Sequence, residues 1–164
     1  MPRILVSACL LGQPVRYDGA GAGEHALLQR WQALGWLVPM CPEVSGGLPT
    51  PRAPAEIPGG QGSAVIDSRV PVLDVTGADV TAAFLAGAAA AVRLAEEHAI
   101  RYAVLKARSP SCGNHETYDG SFSGVRIAGE GVTAAALRRA GVRIFNEAEL
   151  EQLAELLAGE RSSR

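Results

Sequence analysis

Long hydrophobic runs, basic clusters and a secretion signal are all missing from this chain of 164 residues. The longest alanine-rich stretch, Ala82 to Val92, is far shorter than the roughly 20 residues that cross a bilayer. The net charge is −2 and no basic run occurs, so electrostatics gives no reason to expect a nucleic-acid partner. The first apolar stretch is a handful of residues, followed by Arg16 and Asp18, so we expect no signal peptide. These absences predict a soluble cytoplasmic protein with no membrane or nucleic-acid partner.

Apolar strands alternate with helical stretches along the chain, an order that is typical of a parallel α/β sheet. Strands are predicted at Arg3 to Ser7, Trp36 to Met40, Ala99 to Lys106 and Val142 to Phe145. Helices are predicted at Glu24 to Leu34, Asp79 to Glu97, Gly131 to Ala140 and Asn146 to about Ala158. The expected fold class is α/β, a Rossmann-like three-layer sandwich with a mainly parallel four-stranded sheet. Residues 1–158 are expected to form a single domain and residues 159–164 a frayed tail.

Glycine and capping residues mark the ends of three of these helices. Gly35 takes the glycine position that follows a helix C-terminus. Asp79 can cap the second helix. Asn146 with Glu149 three residues later resembles a capping box that opens the last helix.

The segment between the second strand and the second helix is unusually long for a compact domain. Residues Cys41 to Gly62 include five prolines, and a loop of this length is usually functional or disordered. Its sequence is not low-complexity, so we expect a functional loop. A short hairpin is predicted between Ala64 and Val75.

The chain has only three cysteines, and an odd number of thiols without a secretion signal argues against a disulfide framework. Each follows a run that is typical of a buried strand: Cys9 after the first strand, Cys41 after the second and Cys112 after the third. The carboxyl ends of parallel strands gather at one edge of a sheet, where ligands usually bind. We therefore expect a three-cysteine metal or cluster site at that edge, with strand order 2-1-3-4 so that the three strands are neighbours.

Three thiols are one fewer than a structural metal site needs, because structural zinc and most iron–sulfur clusters take four ligands. His115 is the only histidine placed as a possible fourth. Without it, a cluster would keep one open metal position, which marks a catalytic site. The alternative is that these are ordinary buried thiols, but Cys41 and Cys112 lie among loop residues. A cysteine phosphatase loop is excluded in its usual form, because no arginine follows any cysteine at the sixth position.

Several polar residues accompany the cysteines. Glu43 follows Cys41 by two positions, and Ser109 and Ser111 precede Cys112; a carboxylate and a hydroxyl beside an open metal position suit general acid–base chemistry. The alternatives are that Glu43 caps a helix or turn and that the serines satisfy loop backbone groups.

Lysine is almost absent. Lys106 is the only lysine among 15 basic residues, so a compact ammonium just before the Cys112 segment suggests a role that guanidinium does not fill. It could balance the negative charge of a thiolate-bound cluster, as could Arg16, Arg52 or Arg108. The alternative is an ordinary solvated strand end.

Two Tyr-Asp-Gly turns, one at residues 17–19 and one at residues 118–120, each follow a cysteine. They could form similar walls of one site. The alternative is that Asp-Gly is simply a common turn dipeptide.

Taken together, these motifs resemble a bacterial family long catalogued as a domain of unknown function, whose characterised members include the thiouracil desulfidases. The resemblance runs from Ser7 to Glu147. It is carried by Ser7-Ala8-Cys9-Leu10-Leu11-Gly12, Arg16-Tyr17-Asp18-Gly19, Cys41-Pro42-Glu43, Gly46-Gly47-Leu48, Pro51-Arg52, Leu105-Lys106 and Ser109-Pro110-Ser111-Cys112-Gly113.

The resemblance implies a 4Fe-4S cluster on Cys9, Cys41 and Cys112 with one open iron. It also implies an iron–sulfur-dependent, non-redox desulfidase that removes the thiocarbonyl sulfur of a thiolated pyrimidine such as 2-thiouracil, giving uracil and hydrosulfide. Water deprotonated by Glu43 would attack the ring carbon, with Ser109, or less favourably Ser111, assisting at the ring.

We further expect Lys106 to belong to the catalytic group, and Arg16, Asp18 and Ser111 to bind the substrate. Two other functions stay open. One is a redox or sulfur-transfer protein that uses the same cluster, and the other is a binding module without metal.

Overall fold

The computed structural model describes residues 2–21 and 25–162. Strands and helices alternate in these ranges, except that β5, β6 and β7 follow one another directly. The strands are β1 (Ile4–Ser7), β2 (Leu37–Met40), β3 (Ala55–Glu56), β4 (Leu73–Asp74), β5 (Tyr102–Leu105), β6 (Glu116–Tyr118), β7 (Arg126–Ala128) and β8 (Arg143–Asn146). The helices are α1 (Ala26–Ala33), α2 (Pro42–Ser45), α3 (Gly62–Ile66), α4 (Thr81–Glu97), α5 (Val132–Arg139) and α6 (Leu150–Ser162). A 3-10 turn at Ala8–Leu11 follows β1 directly.

The main sheet has four parallel strands in the order β2-β1-β5-β8. Ile4 of β1 pairs with Leu37 on one side and with Tyr102 on the other. Every residue of β1 and β5 is buried, as expected of central strands that are covered on both faces. The predicted fold class and the predicted order 2-1-3-4 are both confirmed.

Helices cover the two faces of this sheet because successive strand residues point to opposite sides. Ile4 and Val6 pack with residues of α1 and α6, among them Leu28, Trp31, Leu153 and Leu157. Leu5 packs in a second cluster with residues of α4 and α5, among them Ala91, Ala95, Ala134 and Leu137. The result is the predicted three-layer sandwich. Among the described helices, none is both long and apolar enough to cross a membrane.

The hairpin predicted between Ala64 and Val75 is wrong. Its first part is helix α3, and its second part, β4, pairs antiparallel with β3 from the preceding loop. The apolar residues of this segment pack in a separate hydrophobic cluster that includes Ile57, Val65 and Val72. The long proline-rich segment is thus partly regular structure, with α2 and β3 inside it.

The helix-end signals are largely found where the sequence places them. Gly35 follows α1 with a φ of 75°. The Asp79 carboxylate accepts the Thr81 N–H at 2.9 Å, but the N-cap residue of α4 is Val80, so Asp79 lies one position before the cap. Only half of the expected capping box forms: Glu149 Oε1 accepts the Asn146 N–H, but Asn146 Oδ1 accepts the N–H of Ala148 rather than that of Glu149. Helix α6 begins only at Leu150. That helix also continues past the predicted end near Ala158 to Ser162. The predicted first residue of α1, Glu24, lies outside the described residues.

Helix α2 crosses α4 at very close range, which fixes the start of the long loop. An added Cβ at Gly46 would lie 1.9 Å from the Ala83 carbonyl oxygen. An added Cβ at Gly87 would lie 2.0 Å from the Pro42 carbonyl oxygen. No side chain fits at either position, so the two backbones touch and the segment carrying Cys41 and Glu43 is held against α4.

Candidate active site

The carboxyl ends of the central strands open into a cavity of about 550 Å³. Ser7 at the end of β1, Cys41 just after β2 and Lys106 just after β5 all line it. This is the sheet edge at which ligands bind in open α/β folds. The sequence predicted a site at this edge because each of the three cysteines follows a strand.

The three cysteines all line this cavity as free thiols. Cys9 sits in the 3-10 turn after β1, and Cys41 precedes α2, with Pro42 at the first helical position. Cys112 lies in the loop after β5. Cys9 and Cys112 are buried, whereas Cys41 is half-buried and directs its sulfur to the Val15 carbonyl at 3.8 Å.

The thiols influence one another electrostatically. The pKa of Cys9 is raised to about 12, mainly by burial and also by nearby Cys112 and Cys41, while Lys106 and Arg16 act to lower it. Burial raises the pKa of Cys112 to about 11, although the Ser111 and Ser7 hydroxyls beside the sulfur oppose the rise. Three thiolates here would repel one another without a cation between them.

The donor set fits an iron–sulfur cluster better than a single ion. Within residues 2–21 and 25–162, no three His, Cys, Asp or Glu side chains converge as ligands of one ion. A cubane instead binds each thiolate through a different iron, and soft thiolates favour such clusters. His115, considered as a fourth ligand, does not line the cavity and pairs with Glu149 at 2.9 Å.

Glu43 is held from one side by a buried arginine. Arg52 Nε lies 3.2 Å from Glu43 Oε1, and only 5% of the arginine side chain is exposed. The guanidinium also donates to the carbonyls of Val15 and Pro49. Val15 is the residue whose carbonyl faces the Cys41 sulfur. Arg52 therefore ties the carboxylate to the loop that borders Cys41.

The two serines of the Cys112 segment have different roles. Ser109 Oγ accepts the N–H groups of Ser111 and Cys112 at 3.1 and 2.8 Å, so its own proton is left for Ser111 Oγ, 3.0 Å away. Ser111, which is 2% exposed, donates to Glu43 Oε2 at 3.0 Å. The hydroxyl next to the carboxylate is thus that of Ser111, whereas Ser109 shapes the loop.

Lys106 is not a solvated strand end. Its ammonium lies 2.8 Å from Glu147 Oε2, with 21% of the lysine side chain exposed. Burial alone would raise the pKa of Glu147, but hydrogen bonds from Lys106 and from the Ala107 N–H leave it below its ordinary range. The backbone N–H of Lys106 also donates to Ser7 Oγ, and the Ser7 hydroxyl donates to the Cys112 sulfur at 3.5 Å.

Both Tyr-Asp-Gly turns border the cavity, since Tyr17 and Tyr118 line it, as does Arg16. Asp18 does not. Its exposed carboxylate accepts the Ala20 N–H at 2.9 Å and closes a local turn. The contact of Asp18 with substrate stays a prediction, and in this structure the side chain is satisfied locally by a short Asx turn.

The contacts of three residues at this site were not predicted from the sequence. Ser7 was visible only as a polar end to an apolar strand, and Glu147 only as an acid just after the last strand. Arg52 was considered as a counter-charge for a cluster, but nothing in its spacing pointed to the Glu43 carboxylate.

Comparison with known proteins agrees with this geometry. The model of a family described as 2-thiouracil desulfurase matches residues 4–149. The Bacillus subtilis (strain 168) protein described as "Uncharacterized protein YbbK" is 42% identical over 153 residues, which cover 92% of this chain and 99% of that protein.

A solved structure of the 4Fe-4S-dependent thiouracil desulfidase TudS superposes with a TM-score of 0.88 at 48% identity, covering 96% of this chain and 99% of that one. The family match spans most of the sequence, and the structural match spans nearly all of it. The resemblance seen in the sequence motifs is therefore confirmed: this chain belongs to the 2-thiouracil desulfurase family.

Proposed function

We propose that this protein is an iron–sulfur-dependent, non-redox desulfidase. It removes the thiocarbonyl sulfur of a thiolated pyrimidine such as 2-thiouracil and releases uracil and hydrosulfide. The observation that carries the proposal is the pair of Ser111 and Glu43, joined at 3.0 Å in the same cavity as three free cysteines. Family membership supports the same chemistry.

The cofactor is a 4Fe-4S cluster, with Cys9, Cys41 and Cys112 as its three protein ligands. When bound, the cluster supplies a soft Lewis acid for the sulfur atom, which oxygen-preferring ions such as Mg²⁺ do not. Lys106 and Arg16 supply positive charge nearby, because both lower the pKa of Cys9. They favour the thiolate state that ligation requires.

Glu43 acts as the general base. Arg52 fixes its Oε1 and Ser111 contacts its Oε2, so the carboxylate is held in one orientation. It takes a proton from the attacking water, whose oxygen bonds to the ring carbon as the carbon–sulfur bond breaks. Thiouracil and water give uracil and hydrogen sulfide, which ionises to hydrosulfide, and no electron is gained or lost.

Ser111 is the proton relay in this proposal. Once Glu43 has taken the proton, the Ser111 oxygen, 3.0 Å away, can accept it while the Ser111 hydroxyl gives its own proton to the substrate. Ser109 keeps the relay in place by accepting two backbone N–H groups and contacting Ser111 Oγ. This assignment differs from the sequence expectation, which favoured Ser109.

Two broader expectations accompany this function. We propose that residues 1–158 act as one domain, since core clusters join α1 and α6 to β1 and β5. We also propose a cytoplasmic location, which the three free thiols support because that compartment keeps thiols reduced.

The test is turnover by anaerobically reconstituted protein. We expect absorption near 400 nm from thiolate-bound iron, and release of equimolar uracil and sulfide from 2-thiouracil. The matched control is Cys112→Ser, which removes one ligand at a buried position and should lose both signals. Full cluster loading without any uracil formation would contradict the proposal, as would equal turnover by the cluster-free protein.

A further inference from the structure

Strands β6 and β7 pair antiparallel as a hairpin, and Phe122 at its tip has an unusual backbone conformation. Its φ is 56°, in the left-handed region that bulky residues rarely occupy. The hairpin tip has two other positive φ values, and both belong to glycine: Gly120 at 97° and Gly124 at 78°. Glycine at residue 122 would adopt this positive φ at a lower free-energy cost than phenylalanine does. A phenylalanine kept there points to a role for its ring.

The carboxylate of Glu56 holds the hairpin tip in this conformation. Glu56 Oε1 accepts the N–H of Gly120 at 3.0 Å and the N–H of Phe122 at 3.2 Å. The tip also lies against the chain just after Glu56, because a Cβ added to Gly120 would lie 2.6 Å from Pro58 Cα. The conformation of Phe122 is therefore set by a contact with a different segment of the chain, 66 residues away.

The ring of Phe122 belongs to the cavity that holds the catalytic groups. Phe122 lines it together with Glu43, Ser111 and the three cysteines. Its side chain is half-buried, whereas Tyr17 at the rim is 41% exposed. A thiolated pyrimidine has polar edges and two apolar faces. The polar side chains that line the cavity can form hydrogen bonds only with the edges.

We propose that Phe122 is a substrate-binding residue that stacks on a face of the pyrimidine ring, and that Glu56 is its positioning residue. This inference rests on the proposed function, since it assigns the wall of that same site. Base–aromatic stacking is sequence-tolerant because every base has a π-face. The Phe122 ring therefore recognises any flat heteroaromatic ring, while polar contacts at the ring edge determine which thiolated ring binds.

The experiment compares variants of the cluster-loaded protein. Phe122→Ala removes the ring, Phe122→Leu keeps apolar bulk, and Phe122→Tyr keeps the aromatic face. Glu56→Ala removes the acceptor that holds the tip. The matched control is Val125→Ala, on the same hairpin, because Val125 is 48% exposed and does not line the cavity. Each variant is measured for KM and kcat with 2-thiouracil, for uracil binding by calorimetry, and for absorption near 400 nm.

We expect Phe122→Ala to weaken uracil binding and raise KM about tenfold, the usual weight of one base–aromatic stack. Phe122→Tyr should match the parent protein and Phe122→Leu should fall between them. Glu56→Ala should raise KM while leaving the cluster absorption unchanged. A purely structural role would instead lower thermal stability and leave KM and uracil binding alone.

Unchanged uracil binding and KM in Phe122→Ala would overturn the inference, and if that variant does not fold, unchanged values in Phe122→Leu would do so. These outcomes differ from the one expected if the proposed function is wrong. If it is wrong, the parent protein, fully loaded with cluster, would neither bind uracil nor desulfidate thiouracil, and the proposed function and the role of Phe122 would both be rejected.

Discussion

The Ser111 hydroxyl lies 3.0 Å from Glu43 Oε2, although 68 residues separate the two in sequence. Glu43 belongs to α2, which follows the edge strand β2, and Ser111 belongs to the loop after the central strand β5. The parallel sheet brings these loops to the same edge. The fold therefore assembles the acid–base pair, and each partner carries the cysteine of its own loop alongside it.

The two serines should respond differently to alanine substitution. Ser111→Ala removes the donor to Glu43, so we expect kcat to fall about 10²-fold, the lower range for acid–base catalysis, with the cluster absorption retained. Ser109→Ala removes the acceptor of two backbone N–H groups. We expect a lower melting temperature and poorer cluster retention, because Cys112 loses its loop support. Steady-state kinetics and thermal melts on both variants make the comparison.

The assignment fails if the effects are exchanged. A kcat loss in Ser109→Ala with normal stability, together with full activity in Ser111→Ala, would make Ser109 the relay, as the sequence pattern favoured.

The Lys106–Glu147 ion pair should make stability pH-dependent. The pKa of Glu147 is lowered by its hydrogen bonds to Lys106 and Ala107. A carboxylate whose pKa is lower in the folded than in the unfolded state stabilises the folded protein at pH values above its ordinary pKa of 4.5. That stabilisation is lost as the pH falls below 4.5 and through the folded value. We expect Glu147→Gln to lower the free energy of unfolding by about 1–2 kcal/mol at pH 7, and we expect its difference from the parent to shrink as the pH falls below 4.5. Denaturant melts at a series of pH values from 7 downward measure this.

The charge and shape of Lys106 can be separated by two substitutions. Lys106→Arg keeps the charge but places a bulkier fork between Glu147 and the Ala107 carbonyl, so cluster retention should fall. Lys106→Met should be worse, because it also removes the charge that lowers the pKa of Cys9. Normal cluster content and turnover in both variants would show that the lysine serves neither the cluster nor the reaction.

Two glycine-to-alanine changes test the close crossing of α2 and α4. Gly87→Ala places a methyl group 2.0 Å from the Pro42 carbonyl oxygen. We expect destabilisation of about 1–3 kcal/mol from overpacking and displacement of the segment that carries Cys41. Gly159 lies within α6 with no atom near its added Cβ. Gly159→Ala should therefore stabilise by about 0.5–1 kcal/mol. Thermal melts that show the same sign for both changes would contradict the close crossing.

The sheet and the location of the site could be predicted because their signals are local and periodic. Buried strands appear as apolar runs, and Gly35 and Asn146 mark helix boundaries by their own conformational preferences. Three cysteines placed after three such strands then indicate the strand order, since parallel strands end at one edge. No knowledge of side-chain packing is needed for this step.

Side-chain partnerships could not be predicted in the same way. Arg52 and Ser111 meet Glu43 because tertiary packing sets the direction of each side chain, and spacing along the chain does not encode direction. Asp18 shows the converse case, since a residue within a specific motif satisfies its carboxylate in its own turn. The conformation of Phe122 depends on Glu56, a residue from another segment, so nothing near Phe122 in the sequence indicates it.

The most direct test of the account is one sample of cluster-loaded Glu43→Gln, examined for both absorption and turnover. The amide keeps the size of the side chain but is not a base. The account predicts parent-like absorption near 400 nm, because the ligands are Cys9, Cys41 and Cys112. It also predicts that release of uracil from 2-thiouracil is slowed by about 10²-fold or more. Release at the parent rate from a fully loaded sample would show that Glu43 is not the base, and the proposed mechanism would be wrong.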